Sequence, residues 1–483
     1  MRRAKIVATL GPALDDRAKL RAALEAGIDV ARLNFSHGEA QTHARRAELI
    51  RSLSAELGRN VAVLADMQGP KMRLGILPDD GVELESGGQV YLRPGHETLD
   101  EYVHDGVPTL PVVYEPLGRD VEAGSLILIA DGSIRLVVSE VSGLDDGPGI
   151  VRARCVVGGV ATSRKGVNLP GVAVSAPCLT DKDLEDLKTA VDLGADWVAM
   201  SFVRTVEDIA TGHERITAYG GEAPICAKLE RPESIENLDE ILAATDAVMV
   251  ARGDLGVEIG PERVPAIQKE IINRANEWGR PVITATEMLE SMVSSPRATR
   301  AEASDVANAV FDGSDALMLS AESAAGRYPV EAVRTMARII EVAESSANLV
   351  HPQPPRSLDD VGGVVAQAAV QVANDVKAAA IVVFSISGLS IQRVGKYRPV
   401  MPLIGLTPRE MARRRTALMW GTDGMLVPME GQTTALTEAA ERALLTDERF
   451  TKGDVIVIVS GVPGGIGGTN RILVHRLGDA VHA

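Results

Sequence analysis

Short apolar runs that read as buried strands recur along most of this chain, each followed by a segment of helical periodicity. Three such units precede one long break and five follow it, and no other feature constrains the fold as tightly. The first three strands are Ile6–Leu10, Val30–Asn34 and Val61–Ala65, with a helix over Asp15–Ala26 and another that closes near Leu57. The series resumes with a helix over Asp181–Leu193 and strands at Trp197–Phe202, Ile225–Glu230, Ala247–Asp254, Pro281–Thr286 and Ala316–Ser320. A final helix runs from about Pro329 to Asn348. Continuous apolar strands alternating with amphipathic helices predict a parallel sheet covered by helices. Eight such units predict an α/β fold of the (β/α)8 TIM barrel type, with its active site at the C-terminal strand ends.

The break has a different texture. From 71 to 168 glycines and prolines multiply and short β-rich runs take over, clearest in LILIADGSIRLVV, where Asp131-Gly132 reads as a hairpin turn. This predicts a small all-β domain, residues 71–168, inserted into a barrel made of 1–70 and 169–349. The proline-rich HPQPPRS at 351–357 marks a second boundary, and a C-terminal α/β domain is expected over 350–483. A chain of 483 residues is indeed too long for one core. Its net charge of −16 argues against a general nucleic-acid surface but leaves room for a local basic cluster. Three cysteines, Cys155, Cys178 and Cys226, show no ligand spacing and fit a reduced, cytoplasmic setting. No apolar run approaches membrane-spanning length, and no signal peptide is legible.

Applying the strand-end rule collects a polar mouth. It takes Arg32, Asn34, Ser36 and His37 after the second strand, Asp66 with Arg73 after the third, then Lys228, Glu230, Asp254, Thr286, and Ser320 with Glu322. Alternation puts Lys228 and Glu230 on one face, and the next strand delivers Asp254 beside them. Two carboxylates can hold Mg²⁺, which favours oxygen ligands and keeps positions open for phosphate. An ammonium next to them can neutralise charge on a phosphoryl group or an enolate. A salt-bridge network closing the barrel is the structural alternative, but it does not explain polar residues gathered at strand ends above apolar strand bodies.

These residues sit in stretches that resemble the pyruvate kinase family. The matching stretches are KIVATLGPA at 5–13, ARLNFSHG at 31–38, QGPKMRLG at 68–75, KGVNLPG at 165–171, AKLERPESI at 227–235, VARGDLGVEI at 250–259 and TATEMLESM at 284–292. SSPRATRAEASDVANAVFDGSDALMLSAES, 294–323, is the longest. The resemblance implies phosphoryl transfer from phosphoenolpyruvate to ADP, giving pyruvate and ATP. It implies Arg32 and Arg73 as phosphate-holding arginines, and Glu230 and Asp254 as ligands of Mg²⁺ or Mn²⁺. Lys228 is implied as the cation that stabilises the enolate, and Gly253 and Thr286 as contacts for the substrate carboxylate. Thr286 with Ser320 is implied in proton delivery, and His37 and Lys165 along the nucleotide phosphates. A homotetramer is implied as well, with no nucleic-acid or membrane partner.

Departures from the family carry their own expectations. Many members bind K⁺ through residues matching Asn34, Ser36, Asp66 and a threonine, but Met67 stands here in place of the threonine. Lys71, in the same loop, has the charge of that ion, so activity without added K⁺ is expected. Arg231 stands where asparagine is common, and nothing in the sequence explains it. In the C-terminal segment Ser385, Ser387, Gly388 and Ser390 form a loop able to cradle a phosphorylated, allosteric effector, and GVPGGIGGTN at 461–470 is a second glycine-rich loop. A Mg²⁺-dependent C–C lyase acting next to pyruvate is the rival reading. It needs neither the insertion nor Arg32, Arg73 and Lys165.

Overall fold

In the computed structural model, residues 2–145, 147–346, 361–428, 433–461 and 468–480 are described. The proline-rich break at 351–357 and most of the glycine-rich loop at 461–470 therefore lie outside the described residues. The eight apolar runs form one closed parallel barrel. Its strands, first to eighth, are Lys5–Thr9, Val30–Asn34, Ala62–Asp66, Trp197–Met200, Ile225–Leu229, Ala247–Ala251, Val282–Ala285 and Ala316–Leu319. They follow one another in chain order, and the eighth pairs with the first. Alternate residues part into two cores, as the period of two demands. Val7, Val30, Leu64, Trp197, Met249 and Met318 pack together in one, while Ile6, Ala8, Leu33 and Val63 join the helices in the other.

Helix starts follow local capping chemistry. The first helix is Arg17–Ala26, two residues later than the pattern suggested, because the Asp16 carboxylate accepts the Lys19 N–H at 2.9 Å and acts as its cap. Thr180 with Asp183 and Thr299 with Glu302 form reciprocal capping boxes.

A fourfold device closes the N-terminal face. Asp29, Asp196, Asp246 and Asp315 immediately precede the second, fourth, sixth and eighth strands. Each carboxylate accepts a backbone N–H from the odd strand beside it: Ile6, Val63, Ile225 and Val282, all at 2.8–2.9 Å. The N–H of each aspartate donates back to the carbonyl of that same residue at 2.9–3.1 Å. The sequence carries this pattern, but its members lie far apart and each reads alone as a loop residue.

The insertion is β-rich, as expected, with one short helix, Leu117–Asp120, that the all-β expectation did not include. Its seven-stranded sheet includes the antiparallel pair Leu126–Ile129 and Ile134–Ser142, joined through Ala130, Asp131 and Gly132, all with positive φ. Leu169, Val172, Val174 and Ala176, on the chain's return to the barrel, pack into the insertion's own core. The C-terminal domain has a five-stranded sheet in the order Thr422–Leu426, Leu403–Thr407, Ala380–Phe384, Val455–Ser460, Arg471–Arg476. The edge strand Thr422–Leu426 has no apolar run to announce it, since Asp423 and Gly424 interrupt the sequence at a half-exposed edge. It escaped the strand pattern for that reason.

Candidate active site

The strand-end residues converge as expected, and Lys228 is their centre. Its ammonium donates to Ser201 Oγ at 2.6 Å and lies 3.3 Å from Glu230 Oε2 and 3.5 Å from Asp66 Oδ1. Burial works against its charge, but Asp66, Glu230 and Asp254 outweigh burial and raise its pKa. The charged form of Lys228 is thus the favoured one. Ser201, which also donates to the Met67 carbonyl at 2.7 Å, fixes where that cation points.

Arg32 faces the same space. Its Nε donates to Asp66 Oδ2 at 2.6 Å and its Nη1 to Thr9 Oγ1 at 2.8 Å, so the guanidinium is held rigidly. Burial pushes Asp66 up, yet Lys228 and Arg32 prevail and hold its carboxyl below the usual range. A cleft of about 120 Å³ is lined by Arg32, Asn34, Ser36, His37, Lys71, Arg73, Lys228, Glu230 and Asp254, with Gln68, Ser201 and Phe202. Burial, then the positive field of Arg73, Lys71 and Arg32, pushes the His37 imidazole below its ordinary pKa. The cleft is thus cationic on one side, which suits a polyanion. Lys71 lies in it, and the ion pair its ammonium makes is with Asp254, at 4.0 Å.

The other side is carboxylate. Glu230 Oε1 accepts the Phe202 N–H at 2.8 Å, but Oε2 is buried and has no hydrogen-bond partner. Burial is the main cause of an upward shift at Glu230, opposed by Lys228 and reinforced by the nearby charge of Asp254. Lys228 lies 3.3 Å from Oε2 without hydrogen-bonding to it, so the oxygen keeps lone-pair capacity for a second cation. No group of three or more His, Cys, Asp or Glu able to hold an ion occurs among the described residues. A hard divalent ion held by one or two carboxylates plus substrate oxygens fits that donor set.

Thr286 and Glu287, beyond the seventh strand, both adopt left-handed backbone (φ 69° and 54°). That conformation is costly for a β-branched residue. Arg252 holds it in place, donating to the Thr286 carbonyl at 2.6 Å and to Asp305 at 2.8 Å. The Gly253 N–H, implied as a carboxylate donor, gives its hydrogen bond to Thr286 Oγ1 at 2.8 Å. Gly253 and Thr286 line a larger cavity of about 1050 Å³ between barrel and insertion, and Asp254 borders both spaces. The Ser320 N–H donates to Glu322 Oε2 at 2.7 Å, while Glu322 Oε1 accepts the Leu289 N–H at 3.0 Å. That buried carboxylate ties the last two strand-end loops together.

Lys165 stands apart. Its side chain is exposed on the insertion's rim, beside the bridge between Arg73 and Gly166, and is not among the residues lining the cleft. In the C-terminal loop Ser385 Oγ accepts the Gly388 N–H at 2.9 Å and Ser390 Oγ meets Thr469 Oγ1 at 2.8 Å. Ser387 Oγ accepts the Leu389 N–H at 3.4 Å. These hydroxyls already serve the loop itself. Sequence reasoning missed Ser201, Phe202, Thr9 and Arg252. All four sit at or just past a strand end, so a stricter use of the same rule would have found them.

Comparison with known proteins is consistent across the chain. The family model described as "Pyruvate kinase, barrel domain" matches residues 1–333, and the one described as "Pyruvate kinase, alpha/beta domain" matches 364–475. A protein of Mycobacterium tuberculosis named pyruvate kinase is 45% identical over 481 residues, 99% of each chain. One of Corynebacterium glutamicum is 43% identical over 485 residues, covering 99% of this chain and 98% of its own. One of Geobacillus stearothermophilus is 42% identical over 484 residues, covering 99% of this chain and 81% of its own.

Proposed function

Because the chain belongs to the pyruvate kinase family and is a phosphotransferase, we propose a specific division of labour at its barrel mouth. The substrates are phosphoenolpyruvate and ADP, and the products pyruvate and ATP. That membership decides against the lyase reading. The observation that carries the residue assignments is Lys228, a buried ammonium whose charge the surrounding carboxylates favour, 3.3 Å from a Glu230 oxygen that accepts no hydrogen bond, in a cleft with Arg32.

In this reading the bond between phosphorus and the enol oxygen breaks while an ADP phosphate oxygen forms the new one. The pair left on the enol oxygen becomes an enolate, which takes a proton at carbon. Lys228 neutralises charge on that oxygen as it develops. Arg32, braced by Asp66 and Thr9, holds the phosphoryl group without having to reorganise. Arg73 and His37 line the same cleft and serve the nucleotide phosphates, with Lys165 reaching them if the insertion closes as a lid. Substrate carboxylate would take the Gly253 N–H from Thr286 Oγ1. The Thr286 hydroxyl, which donates to the Ala285 carbonyl at 2.7 Å, would turn with Ser320 to deliver the proton through water. Glu230 and Asp254 are the residues that would hold Mg²⁺ or Mn²⁺, an ion that would supply positive charge where phosphoryl and enolate oxygens meet.

Activity without added K⁺ belongs to the same proposal. Two features support it: Met67 offers no hydroxyl, and Lys71 brings a fixed positive charge to the cleft that Asn34 and Ser36 line. The test is pyruvate formation from phosphoenolpyruvate and ADP with Mg²⁺ in potassium-free Tris, for the parent protein and Lys228→Met. The parent should turn over with or without KCl, and the variant should lose roughly 10³-fold or more in kcat. A parent that needs KCl sinks the Lys71 argument. A Lys228→Met enzyme with near-normal kcat sinks the central assignment.

A further inference from the structure

Arg231 follows the candidate metal ligand Glu230, and the structure gives it a role that the sequence did not. Its side chain is only 2% exposed. Nη1 donates to Glu258 Oε1 at 2.8 Å, and Nη2 donates to the Val172 carbonyl at 2.9 Å and to Glu233 Oε1 at 3.2 Å. Glu258 is equally buried and lies on the helix Arg252–Ile259, one turn beyond Asp254 and on the same face. Val172 lies where the chain returns from the insertion, and its side chain is part of the insertion's core. Burial pushes the Glu258 carboxyl up, opposed by Arg231 and by a hydrogen bond from Asn168 on the insertion's last strand.

One buried guanidinium thus joins three things: the backbone next to Glu230, the helix of Asp254, and the segment by which the insertion hangs on the barrel. Stability is a poor reason for it. A buried ion pair often contributes no more than a well-packed apolar pair of the same size, and Arg231 Nε is buried with no hydrogen-bond partner. We propose that the Arg231–Glu258 pair is a positioning device that couples the insertion to the metal site. The stance of the insertion sets how Glu230 and Asp254 face one another, and an ion bound between them pulls on the returning segment. This rests on the reading of Glu230 and Asp254 as metal ligands.

The test uses the full chain and Mn²⁺ alone. Electron paramagnetic resonance counts free Mn²⁺, and limited trypsin digestion follows cleavage at the junctions of the insertion. Three proteins are compared: the parent, the charge-free Arg231→Met/Glu258→Met double variant, and Arg231→Lys. In the parent, Mn²⁺ should slow cleavage. In the double variant the dissociation constant should rise about tenfold. Its cleavage should also stop responding to Mn²⁺, even at saturating ion. Arg231→Lys keeps the charge but not the fork, and should fall between the two. Affinity within about twofold of the parent together with intact protection, in either variant, would overturn the proposal. Should the double variant not fold, Arg231→Lys decides alone. Pyruvate assays in parallel separate the two readings. Turnover and Mn²⁺ binding by the parent with unaffected variants sink only the coupling, whereas a parent that binds no Mn²⁺ sinks the metal assignment and the coupling with it.

Discussion

The two faces of the barrel are built from the same eight strands, yet they treat their charges in opposite ways. On the N-terminal face every strand-leading aspartate accepts a neighbouring strand's N–H, and three of the four have arginine partners too. Asp29 meets Arg2, Asp196 meets Arg51 and Arg414, and Asp315 meets Arg398. Two of those arginines, Arg398 and Arg414, come from the C-terminal domain, so the closed face is also where that domain is fastened. On the C-terminal face one buried Glu230 oxygen accepts no hydrogen bond, Thr286 holds a strained backbone, and a cationic cleft stands open. The comparison teaches where finished ion pairs go and where unfinished ones are kept. Finished pairs position the scaffold, while unfinished ones leave interaction free for a substrate or ion. This is the division of labour expected between the stable and catalytic ends of a (β/α)8 barrel.

Substitutions on each face should separate activity from stability. The largest effect is expected at Glu230→Gln, with kcat lower by about 10³-fold and a smaller change in unfolding free energy, because Lys228 loses one carboxylate at 3.3 Å but keeps Asp66 at 3.5 Å. Steady-state kinetics beside denaturant unfolding reads both. Next comes Asp196→Ala, the mirror experiment. It takes the acceptor from the Val63 N–H and the shared carboxylate from Arg51 and Arg414, and should cost about 3 kcal/mol of stability, with kcat of the folded enzyme within about twofold. A large kcat loss there would break the comparison.

A smaller effect tests the strained loop. Thr286→Ala removes the acceptor of the Gly253 N–H and should lower kcat about tenfold while stability moves by about 1 kcal/mol or less. The smallest concerns pH. The charge of Asp29 is opposed by burial but favoured more strongly by Arg2, Lys5 and Arg59, so its folded pKa lies below its unfolded value. The unfolded state then binds the extra proton between the two values. The stabilisation is therefore present above about pH 4 and is lost as pH falls through the folded pKa. Asp29→Asn should lower stability at neutral pH and flatten the acid limb of the stability curve, measured by urea unfolding between about pH 3 and 7.

Much of this was legible in the sequence, for a physical reason. Barrel strands buried on both sides are continuous apolar runs, and charged residues cluster where those runs end. That is how Arg32, Asp66, Lys228, Glu230 and Asp254 could be gathered without coordinates. The backbone conformations that aim the strand-end residues were not legible. Phe202, Thr286 and Glu287 reach their positions through left-handed backbone, with φ of 57°, 69° and 54°, which no residue type there announces. Arg231 looked like an unexplained departure because its partners Val172 and Glu258 lie 59 and 27 residues away. The edge strand Thr422–Leu426 was invisible to a rule that looks for apolar runs.

Mn²⁺ binding separates the two faces of the barrel. Titrating the parent, Glu230→Gln and Asp315→Asn in potassium-free buffer, with free ion followed by paramagnetic resonance, compares the faces side by side. The account predicts one site in the parent, the same site in Asp315→Asn, and its loss in Glu230→Gln. A Glu230→Gln protein that still binds Mn²⁺ as the parent does would contradict it.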